Sequence, residues 1–153
     1  MKKFIYSILI ILCLIVITAC NKQEVDNKSS KQETIINEKN EEKISMKITI
    51  NNNEYTINLE DNETVKELVS MLPLELNMSE LNGNEKYTYL DKSLPTNSYN
   101  PKHISSGDVM LFGDNCLVIF YDSFNTSYSY TKIGHIDNLP NLGNGSIKVV
   151  INK

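Results

Sequence analysis

The sequence predicts a mainly β domain with one or two helices, closed into an eight-stranded barrel. Short runs of alternating apolar and polar residues recur between turn signals from Met46 onward, as in an antiparallel sheet that curls on itself. One window, from Thr64 to Leu72, repeats its apolar residues at helical spacing. All the Pro and Gly residues of the chain fall between Met46 and Lys153, a length suited to one compact domain and too short for two.

The elements follow in order. Met46-Lys47-Ile48-Thr49-Ile50 alternates, Asn51-Asn52-Asn53 turns, and Tyr55-Thr56-Ile57-Asn58-Leu59 alternates again, which is a hairpin pattern. Thr64-Val65-Lys66-Glu67 fits a capping box, Val65, Leu68, Val69 and Leu72 make one apolar face, and Pro73 is the stop. This helix should lie across the core, covering or plugging the barrel. Leu74 to Met78 and Lys86 to Leu90 form a second hairpin about Asn82-Gly83. The loop from Asp91 to Gly107, with Pro95 and Pro101, is expected to cross one end of the structure. Val109 to Phe112 and Cys116 to Tyr121 form a third hairpin, whose second strand is apolar at successive positions, as a strand covered on both faces would be. Tyr128 to Ile136 reads as another strand, and Asn144-Gly145 turns into Ile147, Val149 and Ile151.

Ahead of the domain lie two segments of different character. Residues 1–19 open with Lys2-Lys3, continue as an apolar run and end in Ile17-Thr18-Ala19 before Cys20. That order of parts resembles a bacterial lipoprotein signal peptide. The resemblance implies a lipid on the sulfur of Cys20 and residence on the outer face of the cell membrane. An uncleaved spanning helix would need about 20 apolar residues, and residues 4–19 fall short of it. Residues 20–45 then read as the lipidated cysteine and a flexible tether. From Asn21 to Ser45 there is no aromatic residue, and such a segment buries too little to offset its ordering entropy. As a coil it would span roughly 25–30 Å. Residues 46–153 are the barrel domain.

Composition narrows the function. Without Lys2 and Lys3 the chain carries 13 Lys against 19 acids, so nucleic acid, which needs basic patches, is not an expected partner. All 15 basic residues are Lys, and no guanidinium exists to form a bidentate fork with carboxylate or phosphate. Once cleavage removes Cys13 and a lipid occupies Cys20, Cys116 has no disulfide partner. Its apolar surroundings mark it as a core residue rather than a reactive thiol. His103 and His135 lack further ligands at metal spacing, and neither a nucleophile elbow nor a phosphate or dinucleotide loop occurs. No metal and no cofactor are expected. Asp108, Asp114 and Asp122 stand at strand ends, where Asp caps turns.

The block Gly107-Asp108-Val109-Met110-Leu111-Phe112-Gly113-Asp114-Asn115-Cys116-Leu117-Val118-Ile119-Phe120-Tyr121, with Phe124 and Thr126-Ser127-Tyr128-Ser129-Tyr130-Thr131-Lys132-Ile133-Gly134 after it, resembles a bacterial family of cyclophilin-like domains. The likeness extends back through the helix and Leu72-Pro73-Leu74 to cover roughly residues 46 to 151. It implies an eight-stranded cyclophilin-like barrel, in agreement with the strand count. The fold does not by itself imply prolyl isomerase activity. True cyclophilins aim an arginine at the prolyl nitrogen, and this chain has none. The Trp and the Phe-Met-x-Gln stretch of their pocket are missing as well. Lys132 would supply a charge without the planar fork.

The polar and aromatic block from Phe124 to Lys132 is the candidate binding surface, because it mixes aromatic faces with hydroxyl donors. Tyr128 and Tyr130 are expected as walls, Thr126 and Ser127 as hydrogen-bond donors, and Lys132 as a charge for an acidic group. His135 is a further addition. A plainer reading packs one Tyr inward, leaves the other on the rim and has Ser and Thr close a turn. The functional expectation is a membrane-tethered module that binds a peptide, protein or small ligand at one end of its barrel. The alternatives are a weak prolyl isomerase and an interaction module with no pocket.

Overall fold

The computed structural model describes residues 44–153. The expected signal segment, Cys20 and the expected tether up to residue 43 lie outside the described residues. Eight strands close in the order β1, β10, β3, β4, β7, β6, β9, β2, all antiparallel. They are β1 (Ser45–Ile50), β2 (Asn53–Leu59), β3 (Leu74–Leu81), β4 (Glu85–Tyr89), β6 (Asp108–Phe112), β7 (Cys116–Phe120), β9 (Thr131–Ile136) and β10 (Ile147–Ile151). The short strands β5 (His103–Ile104) and β8 (Phe124–Asn125) pair with each other outside the barrel. One helix, α1 (Glu63–Ser70), joins β2 to β3. This is the expected fold class, with one helix among the described residues.

Turn chemistry fixes the hairpins. Asn51 and Asn52 both take positive φ, 47° and 70°, as the two-residue loop between Ile50 and its partner Asn53 requires. Between β3 and β4, where Leu81 pairs with Glu85, Asn82 and Gly83 take φ of 58° and 74° within a three-residue loop. The helix begins differently from the expected capping box. Asn62 is its cap, accepting from the Val65 amide at 2.9 Å, while the Thr64 hydroxyl donates to the Pro95 carbonyl at 2.6 Å. Thr64 is spent on tying the helix to a distant loop, which leaves the capping to Asn62. No helix among the described residues is long and apolar enough to cross a membrane.

Two apolar cores share the wall formed by β6 and β7. Val109, Leu111, Leu117 and Ile119 join Ile48, Ile57, Ile133 and Val149 in the barrel interior, together with Val65 and Leu68 of α1. Met110, Cys116, Val118 and Phe120 point outward into a second core with Ile104 and Tyr130. Alternation along a strand sends neighbours to opposite faces, and both faces here are covered. That accounts for the unbroken apolar run in β7. The loop from Asp91 to Gly107 does more than cross an end: Leu94 enters the inner core, and Ile104 the outer one.

The interior is filled. Between α1 and the inner wall remains a cavity of about 20 Å³ lined by apolar side chains such as Ile48, Leu68 and Ile133, too small for a ligand. At the end opposite the helix, Lys86 is fully buried and donates to the Gly143 and Gly145 carbonyls at 2.5 and 2.8 Å. Its ammonium lies 4.9 Å from the Tyr121 ring centroid. This lysine holds the segment between β9 and β10 over the barrel mouth.

Candidate binding groove on the barrel wall

With both ends closed and the interior full, open concave space lies outside. A groove of about 310 Å³ runs over the outer face of β4, β7 and β6. Its construction follows from strand alternation. On β4, Lys86 points inward, so Glu85, Tyr87 and Tyr89 share the outer face. They stand opposite Phe120, Val118 and Cys116 of β7, and Phe112 of β6 lies beyond Cys116. Leu81 and Asn82 close one side, and Tyr128 and Tyr130 the other.

The rings pack in two groups. Tyr87 and Tyr89 meet edge to face, with centroids 6.0 Å apart. Across the groove, Phe112 touches Tyr128 at 6.0 Å and Tyr130 at 5.6 Å, and Tyr130 is seated on Phe120 at 5.6 Å. Four side chains on the groove are exposed large hydrophobics: Leu81 at 42%, Tyr89 at 67%, Phe112 at 44% and Tyr128 at 64%. Only Ile44 and Tyr99 share that property elsewhere among the described residues. Apolar side chains scattered over a surface need no explanation, whereas four gathered about one depression do.

The one charged side chain lining the groove is Glu85. Burial, with the nearby charge of Glu80, holds the Glu85 carboxyl above the ordinary carboxylate range. Burial and the charge of Glu85 push the Cys116 thiol up, and burial does the same to the Tyr130 phenol. Glu80 itself accepts from the Tyr121 hydroxyl at 3.3 Å and from the Gly83 amide. A second depression of about 350 Å³ lies between β3 and Thr88 to Asp91. It shares Tyr89 as its one aromatic, and its Glu75 is paired with Lys148 at 2.9 Å.

The sequence-derived candidates divide. Tyr128 and Tyr130 both line the groove. Thr126 accepts from the Tyr128 amide at 3.1 Å, and the Ser127 carbonyl accepts from Asn100 at 2.9 Å; they shape the loop behind the walls and are not among the lining residues. Lys132 lies elsewhere, 3.2 Å from Glu60. Burial opposes its charge, but the hydrogen bond and charge of Glu60 outweigh burial and leave its pKa raised. His135 is held by Asp108 at 3.0 Å, also away from the groove. The segment Tyr128 to Tyr130 is not regular strand: β9 starts at Thr131, and Tyr130 makes a single bridge to Tyr99. Asp108 and Asp122 do cap turns, accepting from the Ser105 and Ser123 amides at 2.9 and 2.8 Å.

Glu85, Tyr87, Tyr89, Phe112 and Cys116 were not singled out from sequence as groove residues. The spacing of Glu85, Tyr87 and Tyr89 at i, i+2, i+4 carried the signal for a shared face. Their juxtaposition with Phe112 depends on β4 pairing with β7, which no local pattern encodes.

The architecture thus defines a small closed antiparallel barrel with an aromatic groove on its outer wall. The sequence matches the model of the cyclophilin-like family over residues 48–152, and the chain belongs to that family. Among solved structures, the solution structure of the hypothetical protein AF2241 from Archaeoglobus fulgidus is similar in fold. It has a TM-score of 0.50 and 18% identity, over 72% of this chain and 94% of that one. No curated protein matches the sequence.

Proposed function

We propose that this chain is an extracytoplasmic lipoprotein, anchored through a lipid on Cys20, whose cyclophilin-like domain binds a small ligand or peptide segment in the groove on its outer wall. The observation that carries the binding reading is the convergence of Leu81, Tyr89, Phe112 and Tyr128, all exposed, on one depression. Sites for small ligands are concave, mostly apolar and furnished with a few polar groups, and this groove has those parts. With α1 over one end of the barrel and the segment held by Lys86 over the other, the wall is favoured over the barrel end expected from sequence. Chemical turnover finds little support. The chain contains no arginine, Lys132 is engaged with Glu60, and the groove presents no cationic donor. The address rests on Lys2-Lys3, the apolar run and Ile17-Thr18-Ala19-Cys20.

Two experiments test the two halves. Cells fed labelled palmitate should mark the wild-type chain and leave Cys20→Ala unmarked and unanchored; equal labelling of both would refute the anchor. For the groove, the full chain labelled with 3-fluorotyrosine is titrated with a fragment and peptide set, Tyr128→Phe and Tyr130→Phe providing assignments. Saturable shifts at both positions support the site, and a complete lack of shifts counts against it.

A further inference from the structure

We propose that the groove selects a small organic cation: an alkylammonium group seated against the tyrosine and phenylalanine rings and neutralised by Glu85. The inference rests on the reading of the groove as a ligand site and specifies the ligand's chemistry. Ring faces carry negative electrostatic potential and attract ammonium groups within about 6 Å of the centroid. Here rings come from two opposed walls, Tyr87 and Tyr89 on one and Phe112, Tyr128 and Tyr130 on the other. Single aromatics are common on protein surfaces, but two opposed walls give a cation rings on more than one side.

The second observation is independent of the rings. Glu85 lines the same groove, yet among the described residues its carboxylate makes no ion pair and no side-chain hydrogen bond. The lysine beside it does not neutralise it. Lys86 projects through the other face of β4 to the Gly143 and Gly145 carbonyls. The charge that shifts Glu85 is that of another acid, Glu80. A partly buried carboxylate without a counter-ion is costly, and a bound cation would remove that cost. The same field repels anions. A metal ion is a poor occupant, since no three metal-ligating side chains cluster among the described residues. The volume, about 310 Å³, is at the lower bound of small-ligand sites, so the group arrives on a small molecule or as one extended side chain.

The test is calorimetry on the full chain in a nonionic detergent at pH 7.5. The probes are choline, n-butylammonium, a lysine-bearing tripeptide, and 3,3-dimethylbutan-1-ol, the uncharged carbon isostere of choline. An ammonium probe should bind at least tenfold more tightly than the isostere, Glu85→Gln should erase most of that margin, and Tyr128→Leu should weaken the cation several-fold. The ratio of choline to the tripeptide tells a free cation from a lysine side chain. Equal binding of choline and its isostere, or a margin unchanged in Glu85→Gln, overturns the cation inference and leaves the groove as an apolar ligand site. Failure of every ammonium while uncharged fragments shift Tyr128 and Tyr130 does the same. Failure of all probes and all fragments sinks the ligand reading itself. Far-ultraviolet dichroism matching wild type establishes that each variant is folded.

Discussion

Tyr128 stands edge-on to Phe112, with ring centroids 6.0 Å apart and planes at 89°, and both side chains are exposed to solvent. An exposed residue just ahead of β9 is thereby joined to the last residue of β6, which makes one wall of the groove from two segments distant in sequence. The contact costs the fold little to lose and the groove a great deal. Phe112→Ala should lower stability by only about 1–2 kcal/mol, the scale of its two aromatic pairs with Tyr128 and Tyr130, while weakening a groove ligand by about tenfold, or 1.4 kcal/mol. Thermal melts and titrations on the same preparation check the split.

Glu85 should impose a pH dependence on cation binding. Its carboxyl ionises above the usual 4.5 because of burial and the charge of Glu80. The other titratable groups that sense it are the Cys116 thiol, Tyr121 and Tyr130, and none is a cation. As pH falls through this raised value the carboxylate is lost, so choline affinity should decline starting above pH 4.5. The effect on stability has the opposite sense. A carboxyl whose folded pKa is raised favours the fold when protonated, and that contribution is lost as pH rises from the unfolded to the folded value. Glu85→Gln should therefore match wild type in acid and equal or exceed it at pH 7, as denaturant midpoints would show.

Cys116 is 6% exposed, and burial followed by the charge of Glu85 pushes its thiol pKa up. Alkylation requires the thiolate. Iodoacetamide at pH 8 should modify Cys116 slowly in wild type, faster in Glu85→Gln, and more slowly again when an ammonium ligand occupies the groove. Peptide mass spectrometry of the segment holding Cys116 gives the rates.

Gly107 takes a φ of +97°, and a Cβ there would lie 2.2 Å from the Ile136 carbonyl oxygen and 2.9 Å from the His135 ring. Its amide donates to Phe120 and its carbonyl accepts from Ile136, each at 2.8 Å, so the backbone has little freedom to retreat. Gly107→Ala should cost more than about 3 kcal/mol, in the range reserved for backbone strain combined with a clash. Gly83, with φ +74° and open space around it, should cost about 1 kcal/mol on the same change. Urea unfolding of the two variants side by side makes the comparison.

Lys86 supplies a stabilising contact with an unfavourable burial term. Removing the ammonium in Lys86→Met frees the Gly143 and Gly145 carbonyls, and amide exchange across residues 141–146 should accelerate. Desolvation lowers the pKa of Lys86 from 10.5. A lysine with a depressed folded pKa releases its proton first in the folded state, so stability rises with pH between the folded value and 10.5. Wild type should accordingly gain on Lys86→Met as pH climbs towards 10.5. A gap that narrows instead would contradict the burial account.

Much of the fold was legible because its turns are local. Asn51-Asn52 and Asn82-Gly83 carry their conformations in two residues, and the unbroken apolar run of β7 announced a strand covered on both faces. The capping box expected at Thr64 does not form: the Pro95 carbonyl engages its hydroxyl, and Asn62 caps the helix instead. The walls Tyr128 and Tyr130 could be picked out as an aromatic block. Lys132 and His135 could not be placed, because their partners Glu60 and Asp108 are 72 and 27 residues away in the chain. Glu85 as the groove's acid was hidden for the same reason: alternation puts it beside Tyr87 and Tyr89, but only the pairing of β4 with β7 sets it across from the opposite wall.

The most direct measurement is the fluorine spectrum of the full chain carrying 3-fluorotyrosine, recorded during a choline titration in wild type and in Glu85→Gln. The expected result is saturable movement of the Tyr128 and Tyr130 resonances in wild type, with Tyr55 on β2 unmoved, and a titration at least tenfold weaker in the variant. Resonances that stay still, or that move equally in both proteins, would contradict the account of an acidic aromatic groove that recognises an organic cation.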